Sequence, residues 1–188
     1  PSDVDGNGGF LRFSYLRDDH LSLTSAISIP TADGSEGAYT LCAVVKPASY
    51  SGTQNTLVSA DVNDFFELQN DDQIRLNYDS GTSVLHPKIQ NQFAATGLYV
   101  ITITRTASGA HTLYRNTSAE SLAGSNTSNV TNTNDGTIDC IGARDKATPD
   151  RGFDGDIYEL LWITGDPSLT LAPLHEYMTA KWSDVWTS

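Results

Sequence analysis

Positive charge is scarce in this chain: 11 lysines and arginines stand against 23 aspartates and glutamates, for a formal net charge of -12. Nucleic acid is excluded as a partner, because phosphate binding needs clustered Lys and Arg. Anionic membrane surfaces are excluded on the same ground. No apolar run is long enough to span a bilayer and no secretory leader is visible, so membrane insertion is not expected. The abrupt start at Pro1-Ser2-Asp3 is what a processed product or a fragment would show. Cysteine is sparse too. Cys42 and Cys140 are too few for a disulfide framework, and each lies in an apolar, strand-like run where a free thiol packs as a small hydrophobe. A bridge would require the two strands to be close neighbours, and that alternative stays open at this stage.

The motifs of common catalytic chemistry are also lacking. His20, His86, His111 and His175 have no metal-ligand spacing among them. There is no Gly-x-Ser-x-Gly elbow, no phosphate-cradling glycine loop and no Cys-x-x-Cys pair. Gly6-Asn7-Gly8-Gly9 precedes no helix and reads as a flexible entry turn.

What is present is strand after strand. Hydrophobic residues make up 38% of 188 positions, enough to build the core of a single domain over residues 1–188. Leu11, Phe13 and Tyr15 alternate with polar residues, and Leu21-Ser22-Leu23 and Ile27-Ser28-Ile29 repeat the period of a half-buried strand. Ala38–Val45 is apolar on nearly both faces, which predicts a central strand covered on both sides and ended by Lys46-Pro47. Further strands are predicted over Thr56–Ala60, Phe65–Gln69, Ile74–Tyr78, Leu98–Thr106, Thr112–Arg115, Ile138–Ala143 and Phe153–Thr164, separated by Asn, Asp, Ser and Gly turns. In the last of these, Tyr158, Leu160 and Trp162 are expected to share a face. Residues 116–137 are rich in Ser, Thr and Asn and predict a long exposed polar loop with room for short edge strands. Its Asn116, Asn126 and Asn129 head N-x-Ser/Thr sequences, which chance supplies readily in such a segment. One helix is predicted, over residues 171–182, from the apolar stripe Leu174, Met178 and Trp182. Many short strands with regular turns and a single terminal helix indicate an all-β sandwich or barrel.

Several segments, taken in order, resemble the laminin G-like (concanavalin A-like) superfamily, especially its bacterial and bacteriophage members. The segments are Ala38–Pro47 (AYTLCAVVKP), Thr56–Gln69 (TLVSADVNDFFELQ), Gly97–Asn116 (GLYVITITRTASGAHTLYRN) and Ile141–Gly165 (IGARDKATPDRGFDGDIYELLWITG), followed by a helix ending Ala180-Lys181-Trp182. Leu98 stands where that family usually has Trp, and Arg115 where it usually has an apolar residue. The resemblance runs from about Phe10 to Trp182 and implies a jelly-roll sandwich of two antiparallel sheets with one short C-terminal helix. It leaves function open among lectins, adhesion modules, glycosidases and virion parts.

Glycosidases on this scaffold resemble one another in a strand that sets alternate carboxylates on one face, flanking one bond. No such strand is found. The nearest stretch, Asp154-Gly155-Asp156-Ile157-Tyr158-Glu159, puts Asp154 and Asp156 on one face and Glu159 on the other if the strand is regular. Turn and edge hydrogen bonds are then the expected role of these carboxylates, and no catalytic residue is assigned. Calcium is the cofactor that the acidic loops would take, because hard cations need several oxygen ligands from adjoining loops. One set is Asp61, Asn63 and Asp64 with Asp71 and Asp72; a second is Asp145, Asp150 and Asp154. The resemblance makes a rim calcium site an expectation, since many laminin G-like and pentraxin-like relatives hold one. A glycan site would offer an exposed aromatic platform beside amide or carboxylate groups. Tyr50, Tyr78, Tyr114 and Trp186 are the candidates, while Trp162 and Trp182 are assigned to core. The expected function is a non-catalytic carbohydrate-recognition or adhesion domain, extracellular or on a virion, displayed on a phage tail or head fibre or on a bacterial surface. The alternative is a structural or decoration module of a virion or a secreted multidomain protein, making protein–protein contacts. A divergent glycan hydrolase stands third.

Overall fold

Alternating sequence becomes two six-stranded antiparallel sheets, one on each side of a shared apolar layer. The computed structural model describes residues 10–14, 19–29, 37–48, 55–60, 65–68, 74–78, 83–85, 88–89, 97–120, 122–123, 136–145, 147 and 150–186. In chain order the strands are β1 (Leu11–Phe13), β2 (Leu21–Ile29), β3 (Tyr39–Pro47), β4 (Asn55–Ser59), β5 (Phe65–Leu68), β6 (Ile74–Tyr78) and β7 (Ser83–Leu85). They continue as β8 (Lys88–Ile89), β9 (Tyr99–Arg105), β10 (His111–Arg115), β11 (Ser118–Ala119), β12 (Leu122–Ala123), β13 (Gly136–Ile141) and β14 (Gly155–Thr164), before one helix, α1 (Pro167–Trp182). The first sheet runs β1-β14-β3-β9-β10-β11 and the second β2-β13-β4-β5-β6-β7, with β8 and β12 forming a separate pair. This is the expected jelly-roll sandwich.

The strand β3 is central as its composition requires. Leu41, Ala43 and Val45 face inward against Ile101, Ile103, Leu57, Phe66 and Leu68. Cys42 and Val44 face outward and pack with Val100 under Leu174 and Met178 of α1. Both faces are therefore dry, and both cysteines are free and buried. Burial pushes the Cys42 thiol up to about 11, against a hydrogen bond from Thr102, so it stays protonated and unreactive.

Three expectations need correction. The helix begins at Pro167, not Leu171: Asp166 caps it by accepting from the Ser168 amide at 2.9 Å, and proline occupies the first turn. That first turn carries no apolar stripe, so periodicity missed it. Asp166→Ala should cost about 1 kcal/mol, read as a small drop in the urea midpoint with the slope unchanged. The polar loop 116–137 ends sooner than expected, because Gly136 already belongs to β13, while 118–119 and 122–123 pair as the short strands β11 and β12. Finally, β14 carries a bulge. Ile157 lies opposite Val45 and Glu159 opposite Val44, so Tyr158 is the extra residue. Leu160 and Trp162 pack on the inner core, whereas Tyr158 packs on the outer cluster beside α1. A bulge shifts alternation by one, which a regular reading cannot anticipate.

Candidate functional site

The bulge decides what the outer face of β14 presents. Asp156 pairs with Lys46 and Glu159 with Val44 in register, so both carboxylates lie on the face that α1 partly covers. A regular strand would have separated them. Asp156 takes its hydrogen bonds from the edge strand, and Glu159 takes its own from the helix. Asp156 takes a two-pronged ion pair from Arg12 of β1, Nε to Oδ1 at 2.7 Å and Nη2 to Oδ2 at 3.2 Å. Glu159 accepts from three groups of α1: the Tyr177 hydroxyl at 2.7 Å, Lys181 Nζ at 3.0 Å and the Trp182 indole at 3.0 Å.

Aromatic rings run between these carboxylates. Phe10 meets Tyr158 at 5.1 Å and Tyr158 meets Trp182 edge-on at 5.6 Å, all three partly exposed. Cations border the strip: the Arg12 guanidinium lies over Phe10 at 4.9 Å and Lys181 Nζ lies near the Tyr177 and Trp182 rings. Burial pushes the Glu159 carboxyl up, but hydrogen bonds from Tyr177, Lys181 and Trp182 outweigh it and hold the carboxyl below its ordinary range. Burial, then the Asp156 charge, raises the Tyr158 phenol, which stays a neutral hydroxyl near pH 7. The strip thus combines fixed acceptors, hydroxyl and ammonium donors, and apolar ring edges.

A second polar cluster lies on the opposite side of the sandwich. Phe66 and Leu68 of β5 face the inner core, so Glu67 between them faces outward, yet it is 0% exposed. Arg151 Nη1 reaches both its oxygens, at 3.2 and 3.4 Å, and Thr56 Oγ1 donates to it at 3.5 Å. The backbone of Arg151 is left-handed, with φ 47°. It is pinned there by Thr56 N donating to its carbonyl at 3.1 Å and by Asp154 N donating to Asn55 Oδ1 at 2.9 Å.

The residues singled out from sequence scatter around these clusters. Tyr114 of β10 stacks edge-on against His175 of α1 at 4.9 Å, on the far flank of the helix from Tyr158. Trp186, in the turn after α1, is partly buried against the outer cluster. Trp162 is stacked on Tyr39 at 4.6 Å, and Trp182 is partly buried, both packed as core. Tyr50, Asp61, Asn63, Asp64, Asp71 and Asp72 lie outside the described residues, as does the side chain of Tyr78. Of the second acidic set, Asp150 is gripped by Arg144, Nε to Oδ1 at 2.8 Å, and Asp145 accepts from the Ala147 amide at 2.8 Å. Among the described residues, no three His, Cys, Asp or Glu side chains gather as a metal site. Phe10, Arg12, Glu67, Arg151, Tyr177 and Lys181 were not anticipated. Tyr177 and Lys181 stand four apart on the helix, which is the one local signal available.

Comparison with known proteins identifies the family and the fold. The model of the Concanavalin A-like lectin/glucanases superfamily matches residues 21–165. A search of curated protein sequences finds no match. Among solved structures, the chain is similar to the CBM40 of the Ruminococcus gnavus IT-sialidase bound to α2,3-sialyllactose, with a TM-score of 0.57 at 12% identity, covering 87% of this chain and 95% of that one. It is similar to domain 4 of AbnA, a GH43 extracellular arabinanase from Geobacillus stearothermophilus, in complex with arabinotriose: TM-score 0.56, 16% identity, 87% and 74% covered. It is also similar to a heptameric SAP-like pentraxin of Limulus polyphemus, with a TM-score of 0.50, 12% identity, and 76% and 74% covered. At these identities the likeness is one of fold. No helix among the described residues is long and apolar enough to cross a membrane.

Proposed function

This chain belongs to the concanavalin A-like lectin/glucanases superfamily, and from that premise we propose that it is a non-catalytic carbohydrate-recognition domain reading its ligand along the β14 strip. The observation that carries this reading is the bulge at Tyr158, which sets Asp156 and Glu159 on one face beside partly exposed rings. Sugars need that combination: apolar ring edges for their C–H faces, and fixed acceptors and donors for their hydroxyls. Two of the similar structures hold oligosaccharides, which supports a glycan as the ligand class.

The charge state of Glu159 does not suit a general acid. A glycosidase's general acid needs its carboxyl raised toward neutral pH. Three donors hold Glu159 the other way, so it accepts hydroxyl protons and gives none. Display on a phage fibre or a bacterial surface is the setting in which such a domain would work, outside the cell and as part of a larger assembly.

A glycan array on the isolated domain, with calcium and then with chelator, tests the reading. Hits that survive chelation and fall about tenfold in affinity with Trp182→Ala, a loss near 1.4 kcal/mol, support the strip. Trp182→Phe keeps a ring and should lose less. Hits abolished by chelator would move the site to the acidic loops, with Asp61, Asn63, Asp64, Asp71 and Asp72 the ligands to change first. Silence in both conditions would sink the carbohydrate reading. A structural or decoration module would then stand in its place, favoured by Leu169 at 77% and Val185 at 61% exposure on and after α1.

A further inference from the structure

The geometry points to a second ligand site, on the outer face of the other sheet: we propose that Arg151, held by Glu67, binds the carboxylate of an acidic sugar. The proposal takes from the preceding reading only that the ligand is a glycan, and it stands on the opposite side of the sandwich from β14.

The ion pair of the Arg151 guanidinium with Glu67 engages one nitrogen, Nη1, which is shared between both carboxylate oxygens. Among the described residues, Nε and Nη2 hydrogen-bond to none, and the side chain is 28% exposed. That remaining edge is a planar pair of donors, the geometry that matches a carboxylate two-to-two. Glu67 is wholly buried and anchors one end of the guanidinium through Nη1, which reduces the rotamer freedom left to lose when a ligand arrives.

The backbone adds an independent sign. An arginine at φ 47° sits in a region that residues with a Cβ adopt at a cost, and such strain persists only where the surroundings over-determine it. Here the Thr56 amide and Asn55 side chain do so from β4, and the Asp150 carbonyl accepts from the Arg144 amide within the same loop. An ion pair alone needs no strained arginine, since the long side chain could reach Glu67 from an ordinary backbone.

The ligand's class follows from charge. The site already contains a carboxylate, and the chain carries a net charge of -12, so a polyanion such as a nucleic acid or a heavily sulfated chain is repelled. A single carboxylate on an otherwise neutral oligosaccharide is the anion that this arginine can accept.

The test uses the intact domain and two trisaccharides of one backbone, one ending in glucuronic acid and one in glucose. Titration calorimetry on the unaltered protein should show the acidic trisaccharide binding at least tenfold tighter. Arg151→Lys keeps a cation beside Glu67 but loses the two-donor edge, and it should erase that preference with the melting temperature nearly kept. Trp182→Ala should weaken the neutral trisaccharide, which the β14 strip alone would hold, and leave the tighter binding of the acidic one in place. Should Arg151→Lys melt out, the Arg151 Nε–H resonance of the unaltered protein replaces it, and it should shift with the acidic sugar only. Equal binding of the two sugars, binding of neither, or a preference that survives Arg151→Lys overturns the proposal. Binding of the neutral trisaccharide that ignores Trp182→Ala overturns the β14 reading and leaves this one intact.

Discussion

Gly155→Ala is expected to cost about 2–6 kcal/mol, the sum of backbone strain and overpacking, and to leave little of the 5–15 kcal/mol that holds a domain of this kind together. Gly155 opens β14 with φ 143°, in a region that is essentially closed to any residue with a Cβ. An added Cβ would also run into the Lys46 carbonyl oxygen and lie 2.8 Å from Pro47 Cα and 2.9 Å from Ala48 N. All three are backbone atoms of β3 and the residue after it, and none can swing aside as a side-chain tip would. The residue is clasped from both sides, since it pairs with Pro47 of β3 and Phe13 of β1. Gly165 is the control: its φ is 109°, but nothing lies within 4 Å of its added Cβ. Gly165→Ala should therefore lose only the backbone share, about 1–2 kcal/mol. Urea titrations of both variants decide the matter. Equal losses would mean that the close approach of β3 to Gly155 does not exist, and with it the geometry that launches Asp156 and Glu159 onto the outer face.

That dependence explains which parts of this molecule sequence could reveal. The strand β3 was legible because both its faces are buried, so composition alone places it at the centre of a sheet. The strand β9 was legible because Tyr99, Ile101 and Ile103 go one way and Val100 the other without interruption. The four shortest strands, of two or three residues each after β6, offer too little length for any period to show. In β14 the period breaks at Tyr158, and one extra residue reverses the face of everything before it relative to everything after. The carboxylates that looked separated are thereby joined. The Glu67–Arg151 pair was hidden for another reason. Its partners are 84 positions apart, and the bonds of Gly142, Arg151 and Asp154 to β4 bring them together. Asp150 shows the converse case: an acidic turn residue that looks like a metal ligand is taken by the arginine six positions before it.

Acid should destabilise this domain well before its carboxylates titrate, because His111 is a largely buried ring held neutral. Its imidazole lies between the sheets at one end of the sandwich, with Nε2 3.4 Å from the Tyr39 hydroxyl and Arg105 as its register partner on β9. Tyr39 is in turn stacked on Trp162 of β14 at 4.6 Å. Burial, and then the Arg105 charge, lower the His111 pKa from 6.5 to about 4, against a hydrogen bond with the Gly109 backbone. The unfolded chain binds a proton near pH 6.5 and the folded chain does not until about pH 4. Stability from this group is thus complete above 6.5 and is lost as pH falls toward 4, about 3 kcal/mol in all and about 2 kcal/mol by pH 5. His175, whose pKa is also lowered by burial, adds to the loss with the same sign. Glu159 acts in a different window: its lowered carboxyl gives stability above about 4.5 that is lost only below it. Unfolding free energies measured between pH 7.5 and 5 therefore isolate the histidines. The His111→Gln variant, which has nothing to protonate at that position, should show a much flatter profile over the same range. A profile as steep as that of the unaltered protein would mean that His111 is already solvated when folded, and that the Tyr39–His111–Arg105 contact is open to water.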